Sequence, residues 1–442
     1  MAVNILKKSL SYPRFASNLS GVFPRYTSTQ SRHGAEHSGK ERRPETSQAG
    51  SMMDIGTRAI FSEEHDIYRR SLRKFVNEEL VPHRERWEKE KKVDRETWKK
   101  AGAFGILGAA TRVESGGFGA DYKAGMVIQE EMNYANNPVG FSFGAHSEIV
   151  IPYIDYYGTK EQKEKFIPPM LSGEKIGALA MTEPSAGSDL QGISSHAKRD
   201  GKDWILNGSK VFITNGHMSD VSVVVAVTDL TAKSKAHGVS LFLVEAGMPG
   251  FQKGELLQKV GHQTTDTAEL FFDDVRLPGE SLLGGEEYLN KGFYCLMGQL
   301  PRERFGIAVC CTAHAEYMFE LTREYLKNRK AFGKPLANLQ TIQHRLADMK
   351  TDICVVRAFV DRGLQMADEG VLDPVYASMA KSKSSSLCYK IANECVQLHG
   401  GWGYMWDYQI ARAFVDARLM PIFGGSNEIM NEIIARDIVS NK

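Results

Sequence analysis

No Cys-x-x-Cys pair occurs in this 442-residue chain, and its six cysteines, Cys295, Cys310, Cys311, Cys354, Cys388 and Cys395, all lie in the last third. A disulfide framework would be denser and more evenly spread, so these read as reduced thiols that serve as small apolar packing residues. No apolar run is long enough to cross a bilayer, which argues against an integral membrane segment. Neither sign of charge dominates: 55 Lys and Arg against 54 Asp and Glu leave +1, so nucleic acid is not an expected partner. The twelve histidines show no His-Glu-x-x-His or comparable spacing, and no metal is expected. There is no Gly-x-Ser-x-Gly elbow and no Gly-x-Gly-x-x-Gly between a strand and a helix. Without βαβ alternation a nicotinamide-binding Rossmann domain is excluded as well.

Acids are also missing from Met1 to Ala35, where Lys7, Lys8, Arg14, Arg25 and Arg32 lie among many Ser and Thr. A cationic, acid-free leader is the composition of a mitochondrial transit peptide. Residues 36–52 stay polar and are expected to lack structure, so residues 1–52 form the leader. Folded patterning begins near Phe61. Ser62 caps a helix with Glu63 and Glu64 in its first turn, and Pro82 is expected to close it. Further helical stretches run to about Leu171, giving an α-helical domain over 53–175. Strand-like segments follow at 221–228, 238–245 and 268–277, and Asn207-Gly208 between two apolar runs signals a type I′ hairpin. They predict a small antiparallel, barrel-like β-domain over 176–290. From Tyr294 the helical period returns. Ile342, Leu346, Met349, Ile353, Val356 and Phe359 form one apolar stripe, Asp373-Pro374 opens another helix and Gly400-Gly401 ends it. A helical bundle over 291–442 completes an α, then β, then α order, an α+β multidomain chain.

Five segments could carry chemistry. Met181-Thr-Glu-Pro-Ser-Ala-Gly-Ser-Asp-Leu190 can bring backbone N–H groups near an anion or a flavin edge, although alone it reads equally as a turn. Lys210-Val-Phe-Ile-Thr-Asn-Gly216 puts Phe212 and Thr214 on one strand face. Arg329-Lys-Ala-Phe-Gly-Lys334, followed by Gln340, offers a guanidinium fork suited to pyrophosphate, or a plain basic helix end. Gln397-Leu-His-Gly-Gly-Trp-Gly403 allows close backbone approach to a ligand, or a simple helix C-cap. Gln299-Leu-Pro-Arg-Glu-Arg304 is expected to open a helix, and by itself Glu303 between two arginines reads as a solvated, ion-paired turn.

Together, in this order, these segments resemble the acyl-CoA dehydrogenase family from about Phe61 to the C-terminus, with the greatest likeness to its long-chain members. The resemblance implies an N-terminal helical domain, a middle β-barrel domain and a C-terminal four-helix bundle. It also implies FAD bound between domains and across a subunit interface. By motif, Met181, Thr182, Gly187 and Ser188 would touch the isoalloxazine or phosphates. Phe212, where many relatives have Trp, would line the flavin with Thr214. Arg329, Phe332 and Gln340 would reach the FAD of a neighbouring subunit. Gln397, Gly400 and Gly401 would meet the adenosine half, and Ser426 and Glu428 would lie near the flavin. Ser188, Arg304, Phe423, Gly424 and Gly425 would contact substrate.

One departure bears on mechanism. Short- and medium-chain members carry the catalytic Glu in a Tyr-Glu-Gly-Thr-like loop, which here reads Ile422-Phe-Gly-Gly-Ser-Asn427. Gly424 cannot act as a base. Long-chain and isovaleryl members place the Glu on an earlier helix just before an Arg, and Glu303-Arg304 matches that pattern. The resemblance therefore implies α,β-dehydrogenation of an acyl-CoA with Glu303 as base and the Gly424 N–H stabilising the thioester oxygen. It further implies electron-transferring flavoprotein as acceptor and a homotetramer of the mitochondrial matrix. Ending at Lys442, the chain is not expected to carry the extra C-terminal domain of membrane-bound very-long-chain relatives. An isovaleryl-type enzyme, an acyl-CoA oxidase and a flavin-bound scaffold with vestigial catalysis remain as alternatives, the oxidase disfavoured by the leader and length.

Overall fold

A computed structural model describes residues 43–56, 58–135 and 139–440. The transit-peptide expectation for the leader falls outside them. Residues 43–52, expected to lack structure, instead fold back on the body. Lys350 donates to the Thr46 carbonyl at 3.2 Å, and Met52 is buried with its N–H on Glu320.

Among the described residues seven α-helices precede the sheet: α1 (Glu63–Phe75), α2 (Arg84–Glu90), α3 (Arg95–Phe104), α4 (Tyr122–Tyr134), α5 (Val139–Gly144), α6 (Ile151–Tyr157) and α7 (Lys160–Leu171). Ser62 caps α1 as expected, with His65 completing a capping box. Pro82 does not close that helix. The chain continues through a π turn at Val76–Leu80 and a 3-10 turn at Val81–His83 into α2, because Pro82 sits in a first-turn position where no N–H is required.

The middle region has β1 (Gly177–Ala180), β2 (His196–Asp200), β3 (Asp203–Thr214), β4 (Val221–Val227), β5 (Val239–Glu245), β6 (Phe251–Lys253) and β7 (Thr267–Leu277). The sheet runs β1-β4-β2-β3-β7-β6, with β5 also on β4, and curls. Most pairs are antiparallel, while β4 runs parallel to β1 and meets the end of β2 in parallel. Its two faces bury separate apolar clusters, one packed against α6 and α7. The Asn207-Gly208 hairpin does not form. β3 runs straight through it, and the β2–β3 turn is at Gly201-Lys202, with Gly201 at φ +62°. Gly208 marks a register shift against β7, where a Cβ would fall 2.3 Å from Ser195 Oγ. Asn207 is held by the Asp274 carboxylate and N–H, at 2.9 and 2.8 Å.

The C-terminal region packs α8 (Gly292–Asn328), α9 (Gln340–Asp368), α10 (Pro374–His399), α11 (Gln409–Ala417) and α12 (Asn427–Val439), with a two-stranded β8 (Lys330–Ala331) and β9 (Lys334–Pro335) after α8. Asp373 and Ser426 cap α10 and α12. A buried ionic network joins this bundle to the N-terminal helices. Arg58 donates to Glu130 at 2.6 Å and to Asp361 at 3.0 Å, and Arg357 bridges Glu130 and Glu316. All six cysteines are free, five of them buried. Among the described residues no helix is long and apolar enough to cross a membrane.

Candidate functional site

The helix carrying Glu303 begins at Gly292, about two turns earlier than the motif suggested. Pro301 lies inside α8, two residues before the carboxylate, and removes one N–H from the helical ladder. Glu303 is not an ion-paired surface turn. Arg302 points away to Glu148 at 3.3 Å, with its guanidinium 4.5 Å over the Tyr122 ring. Arg304 is buried and its Nε has no partner. Glu303 accepts instead from the Tyr153 hydroxyl, 3.1 Å from Oε1. Burial pushes its pKa up to about 7, while the Tyr153 hydrogen bond and the Arg304 charge pull the other way.

The loop after α11 packs against Arg304 and Ile307 of the same helix. Gly424 and Gly425 both take positive φ, +63° and +91°, and a Cβ on Gly424 would fall 2.3 Å from Ile307 Cδ1. Phe423 packs on Phe141 of α5, ring centroids 5.6 Å apart. No hydrogen bond from the Gly424 N–H is found among the described residues. The fully buried Lys381 of α10 fixes the loop from behind, donating to the Gly425 carbonyl at 2.8 Å and to Asn427 Oδ1 at 3.0 Å. A Cβ on Gly425 would come 3.7 Å from the Arg304 guanidinium, so Arg304 lies against the same loop. Ser426 is the N-cap of α12, and Glu428 is exposed in its first turn.

The two sheet motifs meet through residues the sequence reading passed over. Glu183 and Lys210, both buried, pair at 2.8 Å, and Lys210 also donates to the Met181 carbonyl at 3.1 Å. The ammonium and the N–H groups of Ser194 and Ser195 hold the Glu183 carboxyl down to about 2, and burial pulls the Lys210 ammonium down to about 8. The Val211 N–H closes on the Thr182 carbonyl at 3.0 Å. A tight turn, in which Glu183 and Ala186 exchange backbone hydrogen bonds, then leaves Gly187 and Ser188 exposed. Phe212 is 69% exposed at φ +60°, beside a bulge in β3, with Thr214 outward on the same face. An exposed aromatic in a left-handed conformation is strain that a bound partner would justify.

Because Glu183 stitches these strands together, Glu183→Ala should lower the thermal midpoint together with the content of the flavin that the resemblance implies. It would leave a buried lysine without its carboxylate, a loss on the order of 3–5 kcal/mol. Melting curves and the flavin-to-protein absorbance ratio of the purified variant check this; an unchanged midpoint would show the pair to be dispensable.

The third group lies elsewhere. Arg329, Gln397, Gly400 and Gly401 line an open groove of about 570 Å³, walled by Tyr325 stacked on His399. Phe332 sits at the tip of the β8–β9 hairpin at φ +54° and 90% exposed. Phe332 and the exposed Gln340 flank this region without lining the groove. About 26 residues of α8 separate Glu303 from Arg329, roughly 39 Å at helical rise. The groove and Glu303 therefore lie at opposite ends of α8.

Sequence reasoning missed Tyr153, Lys381, Glu183, Lys210 and Ile307. Glu183 and Lys210 were visible as opposite charges inside two motifs already singled out. Tyr153 and Lys381 carried no local signal.

Family models match most of the chain: the acyl-CoA dehydrogenase N-terminal domain over residues 62–174, its middle domain over 178–275 and its C-terminal domain over 290–439. The mitochondrial long-chain specific acyl-CoA dehydrogenase of Rattus norvegicus is 56% identical over 441 residues, covering 100% of both chains. The mitochondrial isovaleryl-CoA dehydrogenase of Pongo abelii is 37% identical over 377 residues, covering 85% of this chain and 88% of that protein. A crystal structure of acyl-CoA dehydrogenase from Geobacillus kaustophilus superposes with a TM-score of 0.84 at 44% identity, covering 86% of this chain and 100% of that one.

Proposed function

This chain belongs to the acyl-CoA dehydrogenase family, and on that premise we propose that Glu303 removes the α-proton of a long-chain acyl-CoA bound beside a flavin. The protein is an oxidoreductase that converts long-chain saturated acyl-CoA to trans-2-enoyl-CoA in mitochondrial β-oxidation. The observation that supports Glu303 most directly is its half-buried hydrogen bond to Tyr153 with no arginine ion pair, on the stretch of α8 that meets a loop whose glycines carry no competing acid.

The division of labour follows from the chain's own groups. An acid near neutrality is matched to abstracting a weakly acidic α-proton, since it is a stronger base than an ordinary carboxylate yet still ionises near pH 7. The Gly424 N–H is free to donate to the thioester oxygen as charge develops there, and Lys381 keeps that loop from shifting. Arg304 supplies positive potential without quenching Glu303 in a salt bridge. The bound flavin supplies the two-electron sink.

The residues fit FAD as the flavin. A Cβ on Gly187, Gly400 or Gly401 would meet nothing within 4 Å, which leaves room for close approach of a ligand, and Arg329 offers a fork for pyrophosphate. Met181, Thr182, Ser188, Phe212, Thr214, Ser426 and Glu428 would take the flavin side. The long separation of Glu303 from Arg329 supports Arg329, Phe332, Gln340, Gln397, Gly400 and Gly401 acting on a neighbouring copy's cofactor in a homotetramer. Electron-transferring flavoprotein is the proposed acceptor and the mitochondrial matrix the proposed site, with domain limits near 175 and 290.

Anaerobic mixing with an acyl-CoA series tests this reading. Palmitoyl-CoA should bleach the flavin fastest. Faster bleaching by isovaleryl-CoA would favour the branched-chain alternative, and no bleaching by any thioester would favour a scaffold.

A further inference from the structure

Tyr153 is fully buried on α6, and its hydroxyl donates to Glu303 Oε1 across the boundary between the N-terminal helices and the bundle. We infer that Tyr153 is the positioning residue of the base: it anchors Oε1 and so presents Oε2, which has no hydrogen bond among the described residues, to the α-carbon. The inference rests on Glu303 being the base. A glutamate carboxylate, carried on three rotatable bonds, has several rotamers, and a single fixed oxygen selects one of them. Other groups near Glu303 do not duplicate this contact. On its own helix, Arg304 acts through space, Arg302 is engaged by Glu148, and the Cys295 carbonyl takes the Tyr157 hydroxyl at 3.3 Å. From α6, Tyr157 is tied to Gln299 at 3.2 Å, and from α10 Lys381 is committed to the glycine loop. The phenol stays protonated throughout the working range, because burial and the neighbouring carboxylate push its ionisation well up.

The readout is the acidic limb of kcat/KM against pH, which in the natural protein should lie near 7. The hydrogen bond favours the charged form of Glu303, so its loss moves the limb upward. Tyr153→Phe should shift it up by about one unit, lowering turnover at pH 7 about fivefold with flavin content and KM unchanged. Incorporating 2,3-difluorotyrosine at position 153, a stronger donor of the same shape, should move the limb down, and this arm stands even if the phenylalanine variant does not load flavin. A limb unmoved in either flavin-loaded protein overturns the inference. Full activity of Glu303→Gln would instead overturn the base assignment itself, so the two failures are told apart.

Discussion

Glu303→Gln should reduce flavin bleaching by palmitoyl-CoA about a thousandfold while the purified protein stays yellow and melts at a higher temperature at pH 8. The first half follows from the role: the glutamine keeps the shape and the Tyr153 contact but has no basic lone pair for the α-proton. The second half follows from linkage. The Glu303 carboxyl titrates near 7 in the folded chain and near its ordinary 4.5 when unfolded. Between those values the native state holds the extra proton, so this group's contribution to stability falls as pH rises through the window. At pH 8 the native protein bears a buried anion that glutamine does not. At pH 5 the acid is already neutral, and the two proteins should melt nearly together. Melting curves at both values, alongside stopped-flow reduction, check the pair of effects. Normal turnover would remove Glu303 from the mechanism; a stability difference of equal size at both pH values would mean that its ionisation is not what burial opposes.

That two-sided behaviour could not be read from the sequence, because the burial and the hydrogen bond that tune Glu303 come from groups remote in the chain. Tyr153 is 150 residues away in the chain, and nothing in Val150-Ile-Pro-Tyr153 marks its hydroxyl as aimed at an acid. Locally, Glu303 between two arginines pointed to a solvated turn, and only the family resemblance raised it above that. What was legible was short-range: the Ser62, Asp373 and Ser426 caps, the apolar stripe of α9, the β-branched runs of β4 and β5. Each depends on groups a few residues apart. The Asn207-Gly208 error has the converse cause. The dipeptide has strong turn chemistry, yet Asp274 from β7 captures Asn207, and Ser195 crowds the Gly208 position, so a long-range pairing turns a local hairpin signal into a bulge. Lys381 escaped notice because a lysine amid small residues on a helix reads as surface, whereas its ammonium is fully buried under the glycine loop.

Moving the base back to the loop should work only if room is made for it. In the Glu303→Gln background, Gly424→Glu places a carboxylate where other relatives keep theirs, but two features of this loop oppose it. Gly424 sits at φ +63°, a left-handed conformation that costs a side-chain-bearing residue on the order of 1 kcal/mol or more. Its Cβ would also meet Ile307 Cδ1 at 2.3 Å. Ile307 lies one helical turn beyond Glu303 on α8, so the branched side chain fills the space a loop carboxylate would need. A methyl end can rotate away, at the cost of an unfavourable rotamer, so Gly424→Glu alone should restore a small part of the lost activity. Adding Ile307→Ala removes the obstruction, and recovery should then rise at least about tenfold further, one unit of 1.4 kcal/mol in the barrier. Because the acid now enters from the loop side, shorter acyl chains should gain most. The check is a reduction-rate series from butyryl- to palmitoyl-CoA for the double and triple variants. Equal recovery with and without Ile307 would show that the backbone conformation at Gly424, rather than the side chain facing it, keeps the base on the helix.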